Sequence, residues 1–459
     1  MPRENIVGEN IVGENIVGGN IVSPVTRSAL GWGSLYCLLA LLPIGWLLLS
    51  PPAPRSWLGE AAILLGALAL SIMALQALIS GRHTWFAHGV GFDNVLQFHR
   101  QIGIGVLFLV IAHPAALFIA HPSLIHFIDP RQETLRALTL MALLGASIML
   151  IISSLWRKRF GLSYEWWRLL HGGLALFIVF GGLGHAIMAQ RYTEGLVTSV
   201  GLALLILLPA GLVLETRLVR PWRMRRRPWR VVDTKLERGD TTTLTLEPAG
   251  AHRFFFQPGQ FFWITLGDTP WSLQQHPFSL SSSATNSGRI TFSAKRLGDF
   301  TQQLPRVTAN TLAFIEGPFG AFIPRTNNPS GLVMIAGGIG ITPFMSMLYT
   351  FRDQHNRQPI WLIYANPTWR EATFRDNLDD LAQHLELTLI HVISDPHEGW
   401  EGEEGYVDQT LLARCLPPDD GQRDYFICGP DPMMDSAERG LIAQGVAPTH
   451  IFSDRFDIV

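Results

Sequence analysis

Long uncharged apolar runs occupy the first half of the chain, between residues 30 and 216, whereas charged and polar residues are spread through the second half. A helix needs about 20 residues to cross a hydrocarbon layer of about 30 Å. Six of the runs reach that length. We therefore predict six transmembrane helices, near residues 30–50, 57–79, 94–120, 135–156, 164–189 and 195–216.

The second half of the chain has the pattern of a folded domain pair. Short β-rich runs separated by Gly, Pro and Asn extend from 229 to 322, which is typical of a small antiparallel barrel. From residue 331, strands such as GLVMIAGG and DYFICGP alternate with helical stretches, which predicts a doubly wound parallel sheet. The predicted fold class is a multidomain membrane protein: an all-α six-helix transmembrane bundle, an antiparallel β-barrel and an α/β doubly wound domain.

An N-terminal tail precedes the fold, with four copies of Asn-Ile-Val at a period of five residues. This period fits neither a solenoid repeat nor a helix face, so we predict a low-complexity segment. The predicted parts are a tail over 1–28, a transmembrane domain over 29–217, a basic juxtamembrane linker over 218–228, a barrel over 229–325 and a nucleotide-binding domain over 326–459.

Composition agrees with a membrane domain, since 48% of residues are hydrophobic and only 16% are charged. The three cysteines, Cys37, Cys415 and Cys428, cannot supply the four thiolates of an iron–sulfur cluster and show no disulfide spacing. The net charge of −2 does not indicate a nucleic-acid partner, and no obligate protein partner is indicated.

Basic residues mark the cytoplasmic ends of the helices. Arg82 and Arg100 border the second loop, RKR at 157–159 follows the fourth helix, and seven arginines lie within 217–230. By the positive-inside rule, both termini and the two domains after the bundle are cytoplasmic. The arginine run is also expected to contact lipid headgroups.

Four histidines within the predicted spans form two pairs of equal spacing. His99 and His113 on the third helix are fourteen residues apart, as are His171 and His185 on the fifth. Fourteen residues return to nearly the same helix face and rise about 21 Å. Because both helices run outward, His99 is expected at the level of His171 near the cytoplasm, and His113 at the level of His185 near the outer face.

Two facing imidazoles on separate helices are suited to be axial ligands of a haem between them, so we predict two haems. The alternative is four buried histidines with structural hydrogen-bond partners, although ionisable residues inside a membrane are usually functional. Zinc is the weaker alternative, because two pairs about 21 Å apart cannot share one ion.

The turn after the first strand of the α/β domain contains Gly337, Gly338 and Gly340, followed by Thr342 and Pro343 at a helix start. Glycine permits close backbone approach, and helix N-terminal amides favour a pyrophosphate. This predicts a dinucleotide site, although the spacing is not G-x-G-x-x-G.

The second strand of that domain ends in YANPTWRE, without an acidic residue at the ribose position. Arg370 is placed to meet a 2′-phosphate, which favours NADPH over NADH. The alternative for Arg370 alone is a solvated surface arginine.

Several motifs of the second half are similar to those of the ferredoxin–NADP reductase module. They are HPFSLSS at 276–282, KRLGDFT at 295–301, GPFG at 317–320, GGIGITP at 337–343 and CGP at 428–430. Joined to six helices with paired histidines, the chain from about residue 30 to 459 resembles the prokaryotic branch of the NADPH oxidase and ferric reductase superfamily. The resemblance implies that the barrel binds FAD and the last domain binds NAD(P).

The resemblance also implies roles for single residues. Phe278 would pack on the isoalloxazine, the Ser279 hydroxyl would lie near its reactive nitrogen, and Phe456 would cover the flavin until nicotinamide displaces it. Ser279, Cys428 and Phe456 are thus the implied catalytic residues. The remaining implied cofactor contacts are His276, Pro277 and Ser281 at the flavin, Gly298 and Thr301 at its pyrophosphate, and Gly429 and Pro430 beside Cys428 at the nicotinamide.

One position departs from the soluble reductases, because His276 stands where they have an arginine; this implies weaker FAD binding. The implied activity moves electrons from cytosolic NAD(P)H through FAD and two b-type haems to an acceptor outside a bacterial inner membrane. Ferric chelates, dioxygen and quinones all suit this chemistry. Two alternatives stay open: a flavin reductase for which the bundle is only an anchor, and a haem electron-transfer subunit for a specific envelope partner.

Overall fold

A computed structural model describes residues 24–53, 56–82 and 92–455. Most of the predicted N-terminal tail and the predicted flavin-covering residue Phe456 lie outside the described residues. The predictions made for them stay predictions.

Within the described residues, six helices are long and apolar enough to cross a membrane, which confirms the predicted number. Many of their large apolar side chains face outward, including Phe108, Phe180 and Leu208, as lipid contact requires. The helices are Pro24–Leu47, Trp57–Ser80, Phe92–Ala120, Thr134–Leu155, Tyr164–Met188 and Leu196–Leu214.

The second helix is central, and it packs against the first, third, fifth and sixth helices. The third and fifth helices pack mainly against the second and fourth helices rather than against each other. Space is therefore available between the two helices that carry the paired histidines.

The sixth helix does not end at the predicted membrane boundary. One π-helical turn, Glu215–Val219, joins it to a further helical segment, Arg220–Arg225. Most of the segment predicted as a linker over 218–228 is thus helical, and a continuous helix connects the bundle with the following sheet.

The first sheet is antiparallel and curled, as the alternation of short strands predicts. Its strand order is β4-β3-β6-β1-β2-β5, and a bridge from Leu280 to Phe292 joins its two edges. Buried aromatic and aliphatic side chains such as Trp229, Phe262 and Leu244 fill its core. The strands are β1 (Trp229–Leu236), β2 (Thr241–Pro248), β3 (Phe261–Leu266), β4 (His276–Ser279), β5 (Ile290–Lys295) and β6 (Leu312–Phe319).

The second sheet is parallel, with the order β10-β9-β8-β7-β11-β12 and apolar clusters on both faces. It confirms the predicted doubly wound domain, and chain order reverses between β7 and β11, where such sheets bind ligands. The strands are β7 (Leu332–Gly337), β8 (Ile360–Asn366), β9 (Leu387–Ile393), β10 (Glu403–Glu404), β11 (Asp424–Cys428) and β12 (Ile451–Asp454). The helices are Thr342–Asp353, Arg375–His384, Gln409–Cys415 and Asp431–Ala443.

Candidate functional site

The four membrane histidines meet in the pairs that their spacing predicts. The ring centres of His99 and His171 are 6.2 Å apart, and those of His113 and His185 are 6.3 Å apart. Two imidazoles that bind one metal ion from opposite sides, each through a bond of about 2 Å, have ring centres about 6 Å apart. Both pairs therefore have the separation that a bis-histidine haem needs.

Hydrogen bonds select the free nitrogen on two of these rings. His113 donates through Nδ1 to the Ala62 carbonyl oxygen at 2.7 Å. The Ser154 hydroxyl donates to the Leu150 carbonyl oxygen, so its oxygen accepts from Nδ1 of His171 at 3.0 Å. A proton on Nδ1 leaves Nε2 with the lone pair that binds a metal, as is usual for metal-binding histidines.

The ring of His99 has no such bond. Its Nδ1 is buried without a hydrogen-bond partner within the described part of the chain. A metal at Nε2 would not satisfy this atom, so the fit of this pair to a haem rests on its ring separation and on the bond from His171 to Ser154. The residues present thus fit two haems, and sequence reasoning did not find the supporting groups, Ser154 and the Ala62 carbonyl.

The motif HPFSLSS at 276–282, called the flavin motif below, begins with β4, and β4 pairs with β3 in antiparallel register. The ring of His276 stacks on that of Phe300, with 4.1 Å between the ring centres. The ring of Phe278 stacks on that of Phe292, with 4.8 Å between the ring centres. The Ser279 hydroxyl is buried and, like Nε2 of His276, has no partner among the described residues. A ligand with hydrogen-bonding atoms would satisfy both groups. Sequence reasoning missed Phe300, although it lies within the KRLGDFT motif.

Burial lowers the pKa of the His276 imidazole; the nearby Glu165 carboxylate raises it, and the Arg168 guanidinium lowers it. The net shift is downward, so His276 is neutral at pH 7. The position that carries an arginine in the soluble reductases therefore contributes no positive charge to this site.

Two predicted flavin contacts use their hydroxyl groups within the protein. Thr301 accepts from the amides of Leu297 and Gly298 and donates to the Gly298 carbonyl oxygen, each at 3.0 Å. Ser281 is buried and bonds to Ser293 at 3.1 Å. Their hydroxyls shape the turn and the sheet, and the cofactor contacts implied for them stay predictions.

The glycine turn after β7 lies against the turn after β11. A Cβ added to Gly340 would lie 2.3 Å from the Cys428 carbonyl oxygen, and one added to Gly429 would lie 2.9 Å from the Gly337 amide nitrogen. Gly338 has a φ of +53°, and a Cβ there would meet nothing within 4 Å. The two turns are therefore in close contact at the point where chain order reverses, which is where a doubly wound sheet forms its ligand crevice.

The other predicted residues of these turns are buried, except for the exposed Pro430. The helix begins at Thr342, as predicted, and the Thr342 hydroxyl donates to the Ile339 carbonyl oxygen at 3.0 Å. Pro343 and Cys428 are buried, and Pro430 precedes the helix Asp431–Ala443. These side chains fix the shape of the crevice.

Arg370 lines a cavity of about 450 Å³ at the carboxyl ends of β8 and β9. Two further arginines share it: Arg238, from the turn between β1 and β2, and Arg375, whose guanidinium lies 4.8 Å from the Trp369 ring centre. Asp395 also lines the cavity and adds one carboxylate to the three arginines. An anion next to an aromatic ring fits this lining.

The described chain ends close to the nucleotide crevice. Arg455 pairs with Asp431 at 2.8 Å and with Asp435 at 2.6 Å, both on the helix that follows Pro430. These pairs hold the residue immediately before Phe456.

Three parts of the chain match known protein families. Residues 65–182 match the ferric reductase like transmembrane component, residues 228–328 match an FAD-binding domain, and residues 334–439 match the oxidoreductase NAD-binding domain. The three matches follow the order of the observed domains.

Two curated relatives each match less than half of this chain. The toluate 1,2-dioxygenase electron transfer component of Pseudomonas putida is 27% identical over 47% of this chain and 63% of its own length. NADH-cytochrome b5 reductase 1 of Lodderomyces elongisporus is 29% identical over 40% of this chain and 57% of its own. The chain thus spans less than two thirds of these relatives.

Among solved structures, the flavohem-like FAD/NAD-binding domain of a nitric oxide dioxygenase from Vibrio cholerae is 24% identical. The match covers 50% of this chain and 98% of that domain, with a TM-score of 0.45.

Proposed function

From the NADPH oxidase and ferric reductase architecture that these three domains form, we propose that the chain is a transmembrane flavocytochrome b oxidoreductase. It takes electrons from cytosolic NADPH and delivers them to an acceptor on the other side of a bacterial inner membrane. The single observation that carries this proposal is the pair of 6.2 Å and 6.3 Å histidine separations in a chain that also contains a reductase module.

The cofactors supply the redox chemistry: FAD accepts a hydride, which is two electrons and a proton, and releases electrons singly to haem irons that carry one each. His99 and His171 would hold the inner iron, and His113 and His185 the outer one. Because two histidines would hold each iron, an acceptor would take electrons without binding to the iron.

In the reductase, Phe278 and the buried Ser279 hydroxyl would bind the isoalloxazine. The crevice between Gly338 and the turn after Cys428 would hold the pyrophosphate and nicotinamide. The narrow spacing of these two turns orients the dinucleotide and limits the access of water to the transferred hydride.

NADPH is favoured over NADH by the cavity that Arg370 shares with Arg238 and Arg375. A 2′-phosphate carries up to two negative charges, and guanidinium groups bind phosphate through paired charge-assisted hydrogen bonds. Trp369 offers a face on which adenine can stack.

The outer acceptor is a ferric chelate or dioxygen, giving ferrous iron or superoxide. Outward transfer from a negative interior is favourable by about 2.3 kcal/mol per elementary charge for each 100 mV. The basic residues on the inner loops and after the sixth helix support a cytoplasmic reductase.

The test is sided electron transfer in sealed vesicles that contain the purified chain and trapped NADPH. In one experiment a membrane-impermeant ferric chelate is added outside, and in another dioxygen is supplied. Ferrous iron and superoxide are measured outside the vesicles. The proposal predicts reduction outside that stops when His113 is replaced by Leu.

The same experiment separates two rival functions. A flavin reductase with the bundle as an anchor would contain no haem, and H113L would reduce external acceptors as well as the wild type does. A haem subunit for a specific envelope partner would show haem reduction by NADPH without turnover of iron or oxygen.

A further inference from the structure

The flavin strand is joined to the membrane domain by a cluster of buried polar contacts. The Gln275 amide oxygen accepts from Arg82 at 3.1 Å and from Arg168 at 3.4 Å. Gln275 is 8% exposed and directly precedes His276 of the flavin motif. Arg168 also donates to the Leu273 carbonyl oxygen at 3.2 Å. One side chain of the flavin domain thus accepts from two membrane-domain arginines.

Arg82 contacts two neighbouring strands of the flavin sheet and the residue that precedes a third. Its guanidinium pairs with Glu316 on β6 at 3.3 Å and lies 4.5 Å from the ring centre of Trp263 on β3. Trp263 pairs in register with Pro277 on β4 and with Glu316 on β6. Together with the bond to Gln275, these contacts place Arg82 across the flavin motif.

Glu316 also receives the helix that leaves the membrane. Arg220 donates to its carboxylate at 2.6 Å, and the Glu316 side chain is only 11% exposed. Removing one partner of a buried ion pair leaves the other charge uncompensated, so loss of Glu316 would leave Arg82 without its carboxylate. Glu316 therefore joins the loop after the second helix to the segment Arg220–Arg225.

These contacts lie next to the inner histidine pair on both helices. Arg168 is three residues before His171, and Leu96 is three residues before His99. Leu96 packs against the cluster of Phe261, Trp263 and Phe319 on the flavin sheet. The residue one helical turn inward of each inner histidine thus contacts the flavin domain.

We infer that Gln275 and Glu316, held by Arg82, Arg168 and Arg220, are positioning residues that fix the flavin edge against the inner haem. This inference rests on the proposed function. The step that they serve moves one electron at a time from the reduced flavin to a ferric iron. Two transfers reduce two irons, reoxidise the flavin and release its proton. Hydride transfer from NADPH takes place elsewhere in the reductase and does not depend on these residues.

The test compares Q275L, Q275E and E316Q in the purified full-length chain. Q275L removes the acceptor of two arginines, whereas Q275E keeps an oxygen at the same place and is expected to rescue the contact. The matched control is Q358L, since Gln358 is a buried glutamine that accepts from the Asn328 amide in the NAD-binding domain.

Two readouts are used. Hydrogen exchange over residues 273–279 and 217–225 is expected to be about tenfold faster in Q275L and E316Q, because bonds to charged groups are lost. Stopped-flow spectra are expected to show unchanged flavin reduction by NADPH and haem reduction slowed by about tenfold to a hundredfold, since small misplacements are costly. Q275E and Q358L are expected to behave as the wild type.

Wild-type exchange in both Q275L and E316Q would overturn the inference, as would an equal loss of flavin and haem reduction. A wild-type chain without haem would instead refute the proposed function. The exchange data would still decide whether these residues hold the two domains together.

Discussion

A histidine inside a membrane helix needs a partner for each polar nitrogen. One nitrogen of His171 and one of His113 is satisfied by the protein, and the centre of each ring lies 6.2 Å or 6.3 Å from that of a second histidine. This division fixes the tautomer before a metal binds and reduces the reorganisation that binding requires.

The first prediction concerns the outer pair. H113L removes one of the two histidines that would hold the outer haem and is expected to lower haem content from two to one per flavin, with flavin reduction by NADPH unchanged. Haem and flavin are measured in the purified protein by absorption. H126L is the control, because His126 lies in the segment Pro122–Ile128 outside both pairs. Retention of two haems in H113L would contradict the assigned ligands.

The second prediction concerns pH. Burial lowers the pKa of His276 in the folded protein from its ordinary value of 6.5. Below pH 6.5 the unfolded chain therefore binds a proton that the folded chain does not. The free energy of unfolding decreases as the pH is lowered, until the pKa of the folded state is reached. H276N is expected to flatten this dependence of the thermal midpoint, whereas H384N, at an exposed position, is not. If the thermal midpoint changed equally with pH in H276N and in the wild type, this prediction would be wrong.

At this scale the sequence predicts the ligands better than their surroundings. Equal spacing on two helices that run in the same direction identifies His99, His113, His171 and His185 as two pairs, because helix geometry is regular. The partners Ser154 and Ala62 lie on other helices. No local pattern connects them to the histidines, since packing between helices decides which groups meet.

Among the elements, the turns after β7 and β11 form the proposed nucleotide site. Their approach depends on missing side chains, because a Cβ on Gly340 would lie 2.3 Å from a backbone oxygen of Cys428. Backbone atoms cannot move aside as the end of a flexible side chain can.

The third prediction follows from this approach. G340A is expected to lower stability by about 1–3 kcal/mol, as overpacking does, and to raise KM for NADPH. Thermal unfolding and steady-state kinetics measure both. G288A is the control, since a Cβ there would meet only the Asn286 side-chain oxygen at 3.8 Å. A G340A protein as stable as G288A would show that the turns separate freely.

The fourth prediction concerns the turn after β8. R370A is expected to raise KM for NADPH about tenfold and to leave KM for NADH unchanged, because only NADPH carries the 2′-phosphate. R357A, at an exposed arginine before the same strand, is expected to change neither constant. Equal effects on the two nucleotides would place the 2′-phosphate elsewhere.

The sequence predicts some helices and strands correctly and misses others. Spans and strands follow from apolar runs, whereas the continuation of the sixth helix to Arg225 does not, because its arginines are typical of a membrane boundary. Their contacts with Glu215 and Glu316 stabilise the helical extension. The strand β12 was also missed, since its four residues form only by pairing with β11.

In the whole molecule, the reductase contacts the helix bundle near the inner histidine pair. The flavin motif, Arg82 and the inner histidine pair lie within a few contacts of one another, while the outer pair lies about 21 Å further along the same helices. The positive-inside rule, applied to the basic residues at the helix ends, predicts a reductase on the cytoplasmic side. It does not predict the relative orientation of the domains, which depends on contacts between residues far apart in sequence, such as Arg82 with Gln275.

The central claim is that one chain carries electrons from NADPH across the membrane through two haems. The most direct measurement is the absorption spectrum of the purified protein, oxidised and then after addition of NADPH under nitrogen. We predict a low-spin b-type spectrum, two haems per flavin, and reduction of both by NADPH. Well-folded, flavin-containing protein without haem, or with haem that NADPH does not reduce, would contradict it.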